Sequence, residues 1–174
     1  GDLDSAYRYL QASALLWENV PLPPDPELAM LYSNLASCSY EQDKLMLAEG
    51  YSDQALRIKT KFLAPGHVAF AESHSARAAI LMEMGHVEEA LVENSKVIEI
   101  LEPVVDEHHV ELVQAYNNQG ALLHRLSREN EARNYVQLAL RQDARSQLHH
   151  TASSLSLLSE IENNAGDHHK AIAY

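Results

Sequence analysis

Cysteine is almost absent from this chain. Cys38 is the single cysteine in 174 residues, which excludes an internal disulfide and suits a reducing compartment. Its neighbours Ser37 and Ser39 supply no base, so a buried structural thiol is favoured over a reactive one. The chain is therefore expected to be cytoplasmic.

Positively charged residues are also few. The chain has 13 Lys and Arg residues against 25 Asp and Glu residues, which gives a formal net charge of -12. An acidic surface repels phosphate groups, so neither nucleic acid nor an anionic membrane is expected as a partner. No apolar run approaches the roughly 18 residues of a membrane span, and the first residues form no signal-peptide pattern. The charge favours a protein or peptide partner of neutral or basic character.

Motifs of catalysis and metal binding are missing as well. The sequence contains no nucleophile elbow, no phosphate-binding glycine loop and no HExxH motif, and its six glycines are scattered. The ten histidines include adjacent pairs, but adjacent side chains on a helix diverge by about 100°, whereas metal ligands need a shared face. We predict no enzymatic activity, no cofactor and no metal site.

A repeat with a period of 42 residues is the strongest feature that is present. Parts of the stretch 66–100 recur 42 positions later: His67 and Val68 as His109 and Val110, and Gly85, Ala90 and Ile98 as Ser127, Ala132 and Leu140. The same step backwards leads from Ala90 to Ala48, and forwards from Ala132 the step shortens to 39 residues and reaches Ala171. A period between roughly 20 and 50 residues is typical of solenoid proteins, whose repeats touch only their neighbours.

Each repeat is predicted to contain two helices, because apolar residues recur at i, i+3 and i+4 on both sides of a short turn. A linker with four prolines at 20–26 separates a first, lone helix from the complete repeats. The predicted elements are a lone helix of the second type at 1–17, repeats at about 26–62, 68–101 and 110–141, and a partial repeat at 150–174. We predict an all-α fold in which residues 1–174 form a single right-handed solenoid of antiparallel helix pairs. Because both ends cut through a repeat, the chain is expected to be a segment of a longer protein.

The residues at the helix contacts carry a resemblance to a known family. Small residues lie at matching positions of the first helices, and each turn is followed five residues later by an alanine; the small residues are Ala36, Ala78, Gly120 and Ser159, and the turns fall at Asp43, Gly85, Ser127 and Gly166. This pattern is similar to the tetratricopeptide repeat, whose period is about 34 residues. HEAT and armadillo arrays have a similar period to the one found here, but the tight turn with its following alanine favours tetratricopeptide repeats.

The longer period resembles the kinesin-light-chain type of tetratricopeptide repeat. Its inter-repeat loop is matched by APGHVAFA at 64–71 and DPELA at 25–29, and its helical motif by SNLA at 33–36 and NNQG at 117–120. The chain departs from this pattern at Arg77 and Gln119, where a leucine is expected, and at Ala76, where an asparagine is expected. These departures argue against an even grip on a peptide along the groove.

Candidate binding residues lie on the outward face of the first helices, because those helices line the concave surface of a helix-pair solenoid. The predicted peptide-binding residues are Asn34, Ser37, Glu41, Glu72, Gln114, Asn117, Asn118, His124 and Arg125. An asparagine amide both donates to and accepts from a peptide backbone, so Asn34, Asn117 and Asn118 are the predicted anchors, and the resemblance implies the same role. The alternative is that these are surface amides that bond water or a neighbouring residue.

The predicted function is that of a protein–protein interaction scaffold or adaptor that binds a peptide or helix of its partner in the concave groove. An alternative is a segment for self-association or regulatory spacing in a larger multidomain enzyme or sensor.

Overall fold

The structure of the chain, a computed structural model, describes residues 3–18, 25–105, 109–146 and 151–164. These residues form eight α-helices and contain no strand: α1 (Leu3–Glu18), α2 (Pro26–Glu41), α3 (Leu45–Lys59), α4 (Ala69–Glu83), α5 (Val87–Leu101), α6 (Val110–Arg125), α7 (Glu129–Ser146) and α8 (Thr151–Asn164). The predicted all-α class is confirmed. Helix α7 continues to Ser146, whereas the third repeat is predicted to end at about residue 141. The last part of the predicted partial repeat, 165–174, lies outside the described residues.

By its contacts the chain divides into two compact units, Gly1–Gly85 and His86–Tyr174. In the first unit, each of the helices α1 to α4 packs on the next, and α2 also contacts α4. The second unit repeats this arrangement with α5 to α8, where α6 also contacts α8. Contacts between successive and alternate helices are those of a helix-pair repeat, whereas the predicted grouping into whole and partial repeats stays a prediction. None of the helices in the described ranges has both the length and the apolarity needed to cross a bilayer.

Helix α2 can begin sharply because its first residues are suited to a helix start. Asp25 precedes α2 and its Oδ1 accepts a hydrogen bond from the backbone N–H of Glu27 at 2.8 Å, which satisfies one of the unpaired amides at the helix start. Pro26 occupies the first position of α2, where its fixed φ angle fits a helix and its missing N–H is not needed.

The turns inside the pairs adopt a left-handed backbone at equivalent positions of the repeat. The φ angles are 58° at Asp43, 81° at Gly85 and 58° at Ser127. Glycine adopts this conformation freely, whereas an L-residue such as serine is disfavoured there by roughly 1–2 kcal/mol. The predicted turn positions are thus the places where the chain reverses, and the fourth, Gly166, lies outside the described residues.

Each unit has its own hydrophobic core. In the first unit the core contains Ala14 of α1, Ala29, Tyr32 and Leu35 of α2, and Ala55 and Ile58 of α3. In the second unit it contains Leu123 of α6, Ala132 and Val136 of α7, and Leu158 and Ile161 of α8. An ion pair also links α7 to α8, since Arg133 Nε donates to Glu162 Oε1 at 2.6 Å and a second nitrogen donates to Oε2 at 3.0 Å.

The paired helices touch where their side chains are shortest. Ala48, Ala90 and Ala132, each five residues after a turn, are all 0% exposed. Gly120 of α6 faces α7 so closely that an added Cβ would lie 2.5 Å from Val136 Cγ2 and 3.3 Å from the carbonyl oxygen of Ala132. A side chain at position 120 would therefore push the two helices apart.

Two residues that replace the expected leucine, Gln119 and Arg77, form polar contacts with α5 and α3, respectively. Leu35 and Leu158, at the leucine position, are 0% and 1% exposed. Gln119 occupies that position in α6, where its Nε2 donates to Ser95 Oγ at 2.8 Å and its Oε1 accepts from Asn94 Nδ2 at 2.7 Å.

Arg77 occupies the leucine position in α4, and it forms an ion pair with Asp53 of α3. A second carboxylate of α3, that of Glu49, lies 3.8 Å from the guanidinium. Gln119 and Arg77 thus hold helices together and point away from the surface predicted to bind a ligand.

Replacing Gly120 by alanine tests the close approach of α6 and α7. We expect Gly120→Ala to lower the free energy of unfolding by about 1–3 kcal/mol, because the new methyl group overlaps Val136. Urea unfolding followed by circular dichroism measures the change. Gly50→Ala is the matched control, because Gly50 is an exposed residue of α3 with no atom within 4 Å of an added Cβ; it should stabilise by about 0.5–1 kcal/mol. Equal effects of the two substitutions would contradict the packing described for Gly120.

Candidate functional site

Helices α2, α4, α6 and α8 each correspond to the first helix of a pair and are called first-type helices. Two of them are in contact in each unit, α2 with α4 and α6 with α8. All nine predicted binding residues lie on these helices, so the candidate site consists of the surfaces where the helices meet. Each unit has a cleft there.

The cleft of the first unit, the α2–α4 cleft, has a volume of about 260 Å³. It is lined by Ala36, Ser37, Tyr40 and Glu41 of α2 and by Ala76, Ala79 and Ile80 of α4. Ile80 is buried, whereas Ser37, Glu41 and Ala76 are exposed. The structure thus brings the predicted residues Ser37 and Glu41 together around an apolar depression.

A smaller polar hollow, the serine hollow, lies one helical turn away in the same unit. Its lining consists of Ser33, Ser37, Ser52, Ser73, Glu72, Ala36, Ala55 and Ala76. Its volume is about 30 Å³, which is room for about one or two water molecules. The predicted residue Glu72 therefore lies beside a space too small for a peptide side chain.

A buried lysine stands next to the serine hollow. Lys59 of α3 is 9% exposed, and its Nζ donates to Ser73 Oγ at 2.5 Å and to the carbonyl oxygen of Ala69 at 3.0 Å. Burial lowers the pKa of Lys59, and the negative charge of Glu72 opposes this in part. Lys59 thus ties the end of α3 to the start of α4 at the expense of burying its ammonium group.

The cleft of the second unit, the α6–α8 cleft, has a volume of about 370 Å³. It is lined by Asn117, Asn118 and Ala121 of α6 and by Ser156, Leu157 and Glu160 of α8. Two of the three predicted amide anchors meet in this cleft.

The two asparagines of the α6–α8 cleft have different roles in the fold. Ser154 Oγ donates to Asn117 Oδ1 at 2.7 Å, so this amide links α6 to α8. Asn118 is exposed, and its side chain makes no hydrogen bond within the part of the chain that the structure describes. Asn118 is therefore the amide whose donor and acceptor can be offered to a ligand.

The remaining predicted residues lie outside both clefts. Asn34 and Gln114 are exposed on α2 and α6, and Arg125 is exposed at the end of α6. His124 Nδ1 lies 2.7 Å from Glu129 Oε2, a contact across the turn between α6 and α7. The assignment of all these residues to ligand binding stays a prediction.

Two further features of the sequence can be placed. The pKa of the Cys38 thiol is raised by burial and, to a lesser degree, by Glu41, which keeps the thiol protonated and lowers its nucleophilicity. Three or more metal-binding side chains do not come together anywhere in the described ranges.

The helix pairs and their turns define a recognisable repeat. Residues 69–145 match the family model described as "Tetratricopeptide repeat". This stretch consists of tetratricopeptide repeats. It extends from the start of α4 almost to the end of α7, and the resemblance predicted from the small residues and turns is confirmed. Among curated protein sequences, none matches the chain.

Several solved structures match nearly the whole chain. BtubC (BKLC) from P. vanneervenii matches 99% of this chain and 70% of its own, with 22% sequence identity and a TM-score of 0.86. A variant of a Podosopora anserina protein described as a kinesin light chain with nearly identical TPR-like repeats matches 98% of this chain and 82% of its own, with 17% identity and a TM-score of 0.86.

A Rap protein in complex with Competence and Sporulation Factor is also similar. The match covers 96% of this chain and 45% of the Rap protein, with 21% identity and a TM-score of 0.73. At these identities the likenesses establish the fold, a solenoid of tetratricopeptide-like helix pairs.

The buried ammonium of Lys59 predicts a pH dependence of stability. Because the folded pKa of Lys59 is below the ordinary lysine pKa of about 10.4, the unfolded chain binds more protons than the folded chain between these two pKa values, and stability rises with pH in that window. The wild type should therefore gain stability relative to Lys59→Met as the pH rises towards the ordinary lysine pKa of about 10.4. Urea unfolding at several pH values measures this difference. Lys61→Met, at an exposed position, serves as the control, and parallel pH profiles of wild type and Lys59→Met would contradict the assignment.

Proposed function

We propose that this chain is a protein-interaction scaffold that binds a peptide segment of a partner on the exposed faces of its first-type helices. Asn118 provides the main support for this proposal. It is an exposed amide in the α6–α8 cleft, and its side chain makes no hydrogen bond within the described residues. An amide in such a position can pair with the backbone of an extended peptide whatever the peptide's sequence, because every residue but proline offers both a donor and an acceptor.

The dimensions of the α6–α8 cleft suit part of a peptide. Its volume of about 370 Å³ lies within the range of roughly 300–1,000 Å³ that is usual for ligand sites. Leu157 and Ala121 provide apolar surface, and Ser156 and Glu160 provide hydrogen-bonding groups. Binding is thus supported by the same mixture of apolar walls and few polar groups that characterises ligand clefts.

A similar fold holds a second molecule in one of the solved structures. The Rap protein is in complex with Competence and Sporulation Factor, and 45% of its length is matched by this chain. This supports a binding role for the fold. Which partner the present chain binds depends on the residues of its own clefts. The proposal assigns a binding function and no catalytic residue.

Asn118 provides the test of this proposal. Peptides selected from a random display library against the wild-type chain would be measured by fluorescence anisotropy against wild type and Asn118→Ala. Loss of one donor and one acceptor should weaken binding about tenfold. Circular dichroism would establish that the helix content is unchanged.

A matched control separates a specific loss from a general one. Gln54 is an exposed amide on α3, outside both clefts, and Gln54→Ala should leave the affinity unchanged. The proposal for this cleft is wrong if the selected peptides bind Asn118→Ala as tightly as the wild type.

A second candidate function is self-association through α1. Tyr9 and Leu16 of this helix are 76% and 70% exposed, and Leu15 is 55% exposed. Large exposed apolar side chains on one helix often mark an interaction surface. Ile58, which occupies the position of Leu16 one repeat later, is only 7% exposed, so the same surface is covered by a neighbouring helix elsewhere in the chain.

Light scattering tests the second candidate. If α1 mediates association, the wild-type chain should show a mass above that of the 19.4 kDa monomer that rises with concentration, and Leu16→Lys should restore the monomer. Met46→Lys is the control, because Met46 is 73% exposed on α3. A monomeric wild type over a wide concentration range would count against self-association.

A further inference from the structure

The α2–α4 cleft offers hydrogen-bond acceptors and negative charge. Glu41 at its mouth is a carboxylate and only accepts. Ser37 donates its hydroxyl hydrogen to the carbonyl oxygen of Ser33 at 3.2 Å, so its oxygen presents lone pairs to the outside. A ligand of this cleft must therefore bring donors.

None of the residues that line this cleft carries a positive charge, although the buried ammonium of Lys59 offsets part of the charge of Glu72 from the side of α3. Helices α2 and α4 together carry Glu27, Glu41, Glu72 and Glu83. Arg77 is the one Lys or Arg residue of these two helices, and it is paired with Asp53 on the side of α3. The surface between α2 and α4 thus attracts a cationic side chain.

The floor of the cleft is apolar. Ala36 and Ile80 are 3% and 2% exposed, and Ala76 and Ala79 line the wall formed by α4. The volume of about 260 Å³ is below the range of roughly 300–1,000 Å³ of sites for small molecules. It suits a single aliphatic side chain with part of its backbone.

The two helices run in the same direction along the cleft. Residues 33–37 of α2 face 72–76 of α4 in the serine hollow, and residues 36–41 face 76–80 in the cleft. Glu72 and Glu41 consequently flank the cleft at opposite ends. Each lies four residues, or about 6 Å of helix, from a lining residue near the centre, Ala76 or Ser37.

This spacing matches an extended peptide. Side chains two residues apart in an extended chain point to the same side and are separated by about 6.6 Å. A residue that enters the cleft would therefore have its second neighbours on either side positioned near the two glutamates.

We propose that the α2–α4 cleft binds an extended, basic segment of a partner protein, with an aliphatic side chain in the cleft and a Lys or Arg two residues away facing Glu41 or Glu72. This inference rests on the proposed binding function and specifies the ligand of the first unit. The negative charge around the cleft requires a positively charged segment. The apolar floor requires an aliphatic side chain at the centre of that segment.

The probe for the test is the peptide Gly-Lys-Ser-Leu-Ser-Lys-Gly, added to the uniformly ¹⁵N-labelled chain. Amide chemical shifts should change in α2 and α4 and show saturable binding. Two control peptides separate the two requirements. Replacing both lysines by glutamate, or the leucine by glycine, should weaken binding about tenfold or more.

Two protein variants locate the contacts. Glu41→Gln combined with Glu72→Gln should weaken binding of the lysine peptide about fivefold, because exposed ion pairs contribute modestly. Ala76→Leu should abolish binding by filling the cleft mouth from an exposed position. Gln54→Leu, at an exposed position of α3 outside both clefts, should have no effect.

The outcomes distinguish this inference from the proposed function. Shifts confined to α6 and α8, equal binding of the glutamate peptide, or no shift at all would overturn the assignment of a basic ligand to the α2–α4 cleft. The proposed function would stand in each case if library-selected peptides lose affinity with Asn118→Ala. Binding of the lysine peptide that persists in Ala76→Leu would also overturn the assignment.

Discussion

The close approach of paired helices at one small residue is the constraint on which this structure depends. Ala48, Ala90 and Ala132 are fully buried, and at Gly120 no space remains for even a methyl group beside Val136. Helices can pack this closely only where side chains are short. The left-handed turn places the second helix of the pair against the first, so the alanine that follows each turn is positioned by the turn itself.

The clefts are a consequence of this packing. Since one face of each first-type helix is pressed against its partner, its opposite face remains outside, and two such helices in contact leave a depression between them. The depressions have the same origin but different chemistry. The α2–α4 cleft presents acceptors around an alanine floor, whereas the α6–α8 cleft presents an amide beside leucine and serine.

The sequence predicted the parts of the structure that recur with the repeat. The turn positions, the buried alanines and most helix ends follow from local pattern, and local pattern is visible in a single chain. The link between Asn117 and Ser154 could not be predicted, because it depends on which residues of distant segments meet. The substitution of Arg77 and Gln119 for leucine was visible as a departure, but their polar partners on α3 and α5 became apparent only with the fold. For the same reason the sequence placed Asn117 and Asn118 together, while only the structure separates the amide used in packing from the exposed one.

Neighbouring positions of helix α6 differ in the side chains that they can accept. Gly120 accepts no larger side chain, while Asn118 and Ala121, two residues before it and one after it, line an open cleft. During evolution, substitutions at the cleft positions can alter what is bound while the repeat geometry is preserved, because the close approach to α7 is made at Gly120. A lineage of such chains could therefore diversify in ligand preference at nearly constant stability.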